Sequence, residues 1–179
     1  MLAAALQAGC ALHVGRRMKN APGARAFAVA LACEAWWAFG YVGELLVRGV
    51  PAKVFWDDLQ LPPAFLLPMA FLLFALRFTG RRPRHLGVWL VGLGVLPASA
   101  MVWVFCDPLL GLSRGSARIV SAPPFDRLLY DFSLVERVAY FELSVVMVYV
   151  CGLLFLHAYQ HGPLHRRQAF VVWLGSLFA

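Results

Sequence analysis

The segment FWDDLQLPPAFLLPMAFLLFALRFTG, residues 55–80, decides the fold. Between Asp58 and Arg77 it has 18 residues without a charge, which is the length of a membrane-spanning helix. Three prolines interrupt this run: Pro62, Pro63 and Pro68. A membrane helix tolerates proline because neighbouring helices can satisfy the backbone groups that proline leaves unpaired. The segment therefore predicts a transmembrane helix over 57–78, with the prolines as candidate hinges.

The composition extends this interpretation to the whole chain. The 179 residues are 61% hydrophobic and 14% charged, and the mean hydropathy is +0.72. Soluble domains average about 25% charged residues. We therefore predict an all-α fold, a polytopic membrane helix bundle that forms one domain. Its helices are predicted over residues 2–14, 26–47, 57–78, 86–106, 138–157 and from 168 to 179 onward.

The two ends of the chain and the longest polar segment need separate interpretation. The segment 2–14 is short for a bilayer core of about 30 Å, so either this helix is unusually short or the true start lies upstream. The segment 168–179 is also too short to span, and we expect the chain to continue past Ala179 into an output domain. Residues 107–136 are predicted to lie outside the membrane, where SARIV and RLLYDF can pair as a small hairpin.

Basic residues are concentrated in alternate turns. The loops 15–25, 79–85 and 158–167, together with Arg77, hold ten basic residues and no acid. The intervening turns hold six basic and six acidic residues. The positive-inside rule then places these three loops in the cytoplasm and the N-terminus outside, in a bacterial inner membrane. The net charge of +7 therefore indicates topology and lipid headgroups, not nucleic acid.

Short motifs follow one another in a characteristic order. They are WAFGYVGEL at 37–45, then Lys53, Phe55, Trp56 and Leu59, then Pro68 before FLLFALRFTG, then Pro97, Asp107-Pro108-Leu109, Tyr130-Asp131-Phe132 and Arg167-Gln168. This order resembles the N-terminal seven-transmembrane sensor region of bacterial membrane histidine kinases, which also precedes diguanylate cyclases. Family members often carry a histidine and an aromatic residue after the Asx-Pro-Leu motif. The sequence LLGLSRG has neither, so no role for that histidine is carried over.

The resemblance implies a sensory input module that regulates a cytoplasmic histidine kinase or diguanylate cyclase domain. It also implies a homodimer formed through that output domain, a small-molecule or membrane-state signal, the lipid bilayer as a partner, and no cofactor. The alternative is a small transporter or channel subunit, which would need a continuous polar path through Glu34. No phosphate loop, HExxH or GxSxG motif is present, so we predict no catalytic residues and no metal site.

Carboxylates within predicted spans are candidate functional groups, because an acid in the membrane usually faces the bundle interior or water. Glu44 and Glu142 are predicted near the outer ends of their helices, with aromatic residues at similar depth. Together they would line a pocket for a cationic or polar ligand, whose candidate residues are Glu44, Glu142, Tyr41, Trp37, Trp56, Trp103 and Tyr140. Alternatively, Glu44 pairs with Arg48, Glu142 pairs with Arg137 or water, and the aromatic residues form an interfacial belt.

Helix 2 also carries a deeper acid and several small residues. Glu34 is a candidate protonation switch, and the alternative is a neutral, hydrogen-bonded side chain that joins two helices. Ala30, Gly40 and Gly43 are small enough to let a neighbouring helix approach closely.

Two further groups receive a structural interpretation. His157, His161 and His165 have the spacing of metal ligands on a helix, but Gly162 and Pro163 interrupt that helix, so interfacial residues are the better interpretation. Asp57 and Asp58 are predicted at the N-terminus of helix 3, where carboxylates cap free amides.

Overall fold

The computed structural model describes residues 2–110, 117–120 and 125–160, without the side chains of 107–110. The predicted all-α polytopic fold is confirmed, and the predicted helix from 168 lies outside the described residues. The elements in chain order are α1 (Leu2–Arg17), α2 (Ala24–Leu46), α3 (Val50–Phe78), α4 (Leu86–Leu110), β1 (Arg118–Val120), β2 (Arg127–Leu129) and α5 (Leu134–Gln160).

Four described helices, α2 to α5, are long and apolar enough to cross a membrane. The 16 residues of α1 rise only about 24 Å, which is less than a bilayer core of about 30 Å. Among the four, α3 is the centre of the bundle: 67% of its apolar window is buried, against 28% for α2, 17% for α4 and 33% for α5. Helix α3 contacts α2, α4, α5 and β2, so the proline-containing span organises the described fold.

The interior of the described bundle consists of two apolar clusters. One joins α2, α3 and α5 around Ala30, Ala75 and Leu154. The other joins α3, α4 and α5 around Phe65 and Val104. Lipid tails are as apolar as these side chains, so in a bilayer the helices are held together by close packing and interhelical hydrogen bonds.

Close approach of α2 and α3 depends on two glycines of α2, as predicted. A Cβ atom at Gly43 would lie 2.5 Å from the Trp56 ring, and one at Gly40 would lie 2.5 Å from Cγ of Gln60. Ala30 is also fully buried in this helix. A larger side chain at either glycine position would have to displace the Gln60 or Trp56 side chain or move the helices apart.

Helix α3 begins at Val50, so the predicted start at residue 57 is wrong. Pro51 lies in the first turn of α3, where its fixed φ suits a helix and its missing N–H has no helical partner to lose. Gly49 makes the preceding turn with φ +90. Because Asp57 therefore lies two turns inside α3, the interpretation of the Asp57–Asp58 pair as N-terminal caps is wrong too.

Helix α5 begins four residues earlier than predicted, because Ser133 and Glu136 form a capping box. The Glu136 N–H donates to Oγ of Ser133 at 3.3 Å. In return, Oε2 of Glu136 accepts from the Ser133 N–H at 2.8 Å and from the Ser133 hydroxyl at 2.7 Å. The S-x-x-E pattern of the sequence was the available signal for this helix start.

The predicted hairpin between helices 4 and 5 is confirmed. Strands β1 and β2 pair antiparallel, with Arg118 opposite Leu129 and Val120 opposite Arg127. Strand β2 also contacts α3. We call the end of the bundle with the hairpin and the α2–α3 turn the hairpin end. The opposite end, with the turns 18–23 and 79–85, is the arginine end.

Candidate functional site

A buried lysine joins three elements at the hairpin end. Lys53 of α3 is only 1% exposed. Its Nζ donates to the Glu44 carbonyl oxygen of α2 at 2.7 Å and to the Asp126 carbonyl oxygen before β2 at 2.9 Å. Because α2 ends at Leu46, the Glu44 carbonyl has no helical donor of its own. Lys53 supplies that donor and connects the hairpin to both helices.

The Glu44 carboxylate is held inside the same cluster and is 8% exposed. It accepts a hydrogen bond from Nε2 of Gln60 at 3.4 Å and another from the Leu128 backbone. Nε2 of Gln60 also donates to the Trp56 carbonyl oxygen at 3.1 Å. Arg48, the partner considered for Glu44 in the sequence, is exposed and lies beyond the end of α2, so the two cannot pair as helical neighbours.

A cavity of about 340 Å³ opens beside this cluster, between α2, α3 and the hairpin. Its walls include two carboxylates and one guanidinium, from Glu44, Asp57 and Arg127. The Tyr130 hydroxyl donates to Oδ2 of Asp57 at 2.7 Å, which attaches the hairpin to α3 a second time. Aromatic rings of Tyr41, Tyr130 and Phe132 complete the walls. The volume and the mixed lining suit a small polar or cationic molecule.

Of the predicted pocket residues, Tyr41 and Glu44 line this cavity. Trp56 lies just behind it, packed over Gly43. Tyr140 of α5 lies behind another wall, with its ring centroid 5.5 Å from that of Phe132. These four residues therefore gather around one end of the bundle.

The other three predicted residues are not among those that line the cavity: Trp37, Trp103 and Glu142. Trp37 is 40% exposed and Trp103 is 36% exposed, on surfaces that would face lipid. Oε2 of Glu142 is buried without a hydrogen-bond partner in the described part of the chain. Arg137, considered as its partner, donates instead to the Phe132 carbonyl oxygen at 3.0 Å.

Glu34 lies away from the cavity, on the face of α2 that meets α1. Its Oε2 accepts from Nε2 of Gln7 at 3.1 Å. This contact supports the interpretation of Glu34 as a side chain that joins two helices, and the protonation switch stays a prediction. Sequence reasoning missed Gln7, although a single amide in an apolar helix was the available signal.

Helix α3 runs without interruption through all three candidate hinges, and Pro63 and Pro68 are buried in the bundle. Pro63 has no N–H to offer the Leu59 carbonyl, four residues earlier. The indole Nε1 of Trp36 on α2 donates to that carbonyl oxygen at 3.1 Å instead. Sequence reasoning also missed Trp36, because no pattern shows which neighbouring helix would supply the donor.

Among the histidines considered as metal ligands, His157 packs against Phe78 with ring centroids 5.4 Å apart. His161 and His165 lie outside the described residues. Within those that are described, no group of three or more metal-ligating side chains occurs.

Four described helices that are apolar and long enough to cross a membrane define a polytopic membrane protein, with a buried polar cluster at one end. The family described as the N-terminal 7TM region of histidine kinase matches residues 1–179, and the chain belongs to that family. The resemblance seen in the sequence motifs is therefore confirmed, and the chain is a membrane sensor region of signal transduction. Neither the curated proteins nor the solved structures contain a match to it.

Proposed function

We propose that this sensor region lies in the bacterial inner membrane with its hairpin end outside and its arginine end in the cytoplasm. It controls a histidine kinase or diguanylate cyclase domain carried by the full-length protein, which forms a homodimer through that domain. The alternation of basic and mixed-charge turns supports this orientation. The family supports an input role, since the region takes its name from histidine kinases.

The signal site in this proposal is the cavity at the hairpin end. The carboxylates of Glu44 and Asp57 attract a cation, and the faces of Tyr41 and Tyr130 favour an organic ammonium group. The guanidinium of Arg127 offers a second contact, whose charge is opposite to that of the two carboxylates. The ligand class is therefore a small polar or cationic molecule that reaches the cavity from outside the cell.

The observation that carries the proposal is the position of Lys53. Its ammonium group ties α2, α3 and the hairpin together beside the cavity, so a ligand that moves one of these elements changes the contacts of the others. Helix α3 then runs about 43 Å from Val50 to the arginine end. A ligand can shift the bundle only by binding its two states unequally, and such couplings are typically about 1–3 kcal/mol.

A transporter or channel is less well supported. Between the two ends, the described interior is filled by the two apolar clusters. Glu34, through which a polar path would have to pass, is hydrogen-bonded to Gln7 between α1 and α2. The described residues therefore provide no continuous polar path, and the input module remains the better proposal.

The signal site is tested with Glu44→Gln and Asp57→Asn in the full-length protein, reconstituted in lipid. Kinase autophosphorylation or cyclic dinucleotide synthesis is the readout. We expect each variant to change basal output at least about threefold. This corresponds to a change of less than about 1 kcal/mol in the free-energy difference between the two states of the bundle. Glu142→Gln is the matched control, since it removes a membrane carboxylate that does not line the cavity. Wild-type output in both cavity variants would contradict the assignment.

The hinge is tested separately with Pro68→Ala, which restores an N–H in the middle of α3 and stiffens the helix. We expect an altered output with an unchanged amount of folded protein. Unchanged output would remove Pro68 from the mechanism.

Sequencing the gene past the codon for Ala179 tests the output domain itself, because a kinase or cyclase domain is expected there.

A further inference from the structure

A second cavity, of about 730 Å³, lies at the arginine end between the turns 18–23 and 79–85. Basic side chains converge on it from both turns and from the adjoining helices, and no carboxylate is among its lining residues. The basic residues are Lys19, Arg25, Arg77, Arg81 and Arg82. Gly23 forms part of the lining with φ +81 and packs against Phe74.

This convergence exceeds what membrane topology requires. The positive-inside rule needs basic residues in the loops on one side, but it does not need two separate turns to direct them at one cavity. Five cations around a common space repel one another, and an anion placed there relieves the repulsion. Arginine is also the side chain that recognises phosphate with two parallel hydrogen bonds. The cavity therefore has the chemistry of a phosphate site.

An apolar groove of about 530 Å³ continues from this cavity into the bundle, between α3, α4 and α5. Leu76 and Leu86 line both spaces, so the groove and the cavity adjoin. Along α4 the groove follows Leu86, Trp89 and Leu93, a rise of about 10 Å toward the middle of the span. Tyr149 of α5 lines the far side. A basic cavity thus leads directly into an apolar groove.

We propose that these two spaces together bind one anionic phospholipid. The headgroup phosphate lies among the basic residues of the cavity, and an acyl chain lies in the groove. A soluble anion would leave the apolar groove unexplained. A zwitterionic lipid brings no net charge to offset the five cations and adds an ammonium group beside them, whereas an anionic lipid brings a net negative charge. Basic pockets between transmembrane helices are known to hold anionic headgroups. The bound lipid would join the turns 18–23 and 79–85 to α4 and α5, and so fix the position at which α3 ends.

The headgroup contact is tested on the full-length protein purified with native lipid. Native mass spectrometry measures retained lipid, and thermal melting compares added phosphatidylglycerol, phosphatidylcholine and inorganic phosphate. We expect retained phosphatidylglycerol, and a melting temperature raised more by this lipid than by the other two additives. The Arg81→Gln/Arg82→Gln variant should lose at least tenfold of the retained lipid. Arg81→Lys/Arg82→Lys should keep most of it. Arg48→Gln, at the opposite end of the bundle, should keep all of it.

The acyl-chain contact is tested with Leu93→Trp, which fills the groove. This variant should lose long-chain phosphatidylglycerol while dihexanoyl phosphatidylglycerol still raises its melting temperature. If long-chain and dihexanoyl phosphatidylglycerol raised the melting temperature of this variant equally, the lipid assignment would be overturned. It would also be overturned if inorganic phosphate stabilised the protein as much as phosphatidylglycerol does. Full retention by the double glutamine variant would overturn the headgroup site. An unchanged long-chain preference in Leu93→Trp would overturn the placement of the acyl chain in the groove.

Discussion

The indole Nε1 of Trp36 donates a hydrogen bond to the Leu59 carbonyl oxygen across the α2–α3 contact, at 3.1 Å. In a regular helix that carbonyl would accept from the N–H of residue 63, which is a proline. A carbonyl without a donor is costly in the hydrocarbon region, because no water can replace the missing partner. The neighbouring helix therefore supplies the donor that Pro63 lacks, and this pairing helps to set how α2 and α3 lie against each other.

This relationship predicts the effect of Trp36→Phe. The variant keeps an aromatic ring but removes the donor, and we expect a loss of stability of about 0.5–1.5 kcal/mol in a thermal or denaturant melt in detergent micelles. Pro63→Ala restores the helical donor, so the same Trp36→Phe change should cost much less in that background. An equal cost in both backgrounds would show that the hydrogen bond does not contribute.

Lys53→Met should detach the hairpin from the helices. The variant removes the link to Asp126 and the donor to the buried Glu44 carbonyl oxygen, and an unsatisfied buried carbonyl costs about 1–3 kcal/mol. We expect faster proteolysis of the hairpin and a lower melting temperature, with the helix content retained. Arg48→Met is the control, because it removes an exposed cation from the same end. Equal proteolysis of the two variants would argue against the Lys53 bridge.

Gly43→Ala should destabilise the α2–α3 contact, because the new Cβ atom would lie 2.5 Å from the Trp56 ring. Overpacking of this kind costs about 1–3 kcal/mol. Gly94→Ala on α4 is the matched control, since nothing lies within 4 Å of its Cβ position, and it should leave the melting temperature equal or slightly higher. Combining Gly43→Ala with Trp56→Leu should recover part of the loss. A Gly43→Ala variant as stable as Gly94→Ala would contradict the close approach.

Ser133→Ala should fray the start of α5 by removing the hydroxyl of the capping box. The expected cost is about 0.5–2 kcal/mol, the usual range for a lost N-cap. Hydrogen exchange should accelerate at the amides of 134–137 and stay unchanged in the middle of α5. Ser144→Ala is the control, since that hydroxyl donates to the Tyr140 carbonyl oxygen within the helix. Unchanged exchange at the helix start would show that the box is not formed.

Much of the membrane architecture could be predicted from local signals. An 18-residue run without charge identifies a span whatever its neighbours do, because every charge placed in lipid is costly. The hairpin was likewise predictable from two short segments rich in strand-forming residues. The errors lay at helix starts, where Pro51 and Ser133 extend α3 and α5 beyond their apolar runs, since a helix can begin in polar sequence when its first turn is capped.

The candidate site was only partly predictable. Glu44 and Tyr41 stood out because an acid and an aromatic residue share one face of an apolar helix. The sequence did not point to Lys53, to Gln60 or to the Tyr130–Asp57 hydrogen bond. The two residues that each of these contacts joins are 9 to 73 positions apart in the chain. Trp37 was included because its spacing places it on the same helix face as Tyr41 and Glu44, and helical spacing does not show which face meets a neighbour.

By itself, then, the sequence determined that this protein lies in a membrane, the order and approximate extent of its spans, and its family. Those properties follow from hydrophobicity, charge and short motifs, which act locally along the chain. Only the tertiary structure decided that Lys53 joins two helices to the hairpin, that Trp36 replaces the donor missing at Pro63, and that basic residues from two turns and the adjoining helices line one cavity. Each of these depends on distance between residues remote in sequence, and that distance is fixed by how α2, α4 and α5 pack around α3.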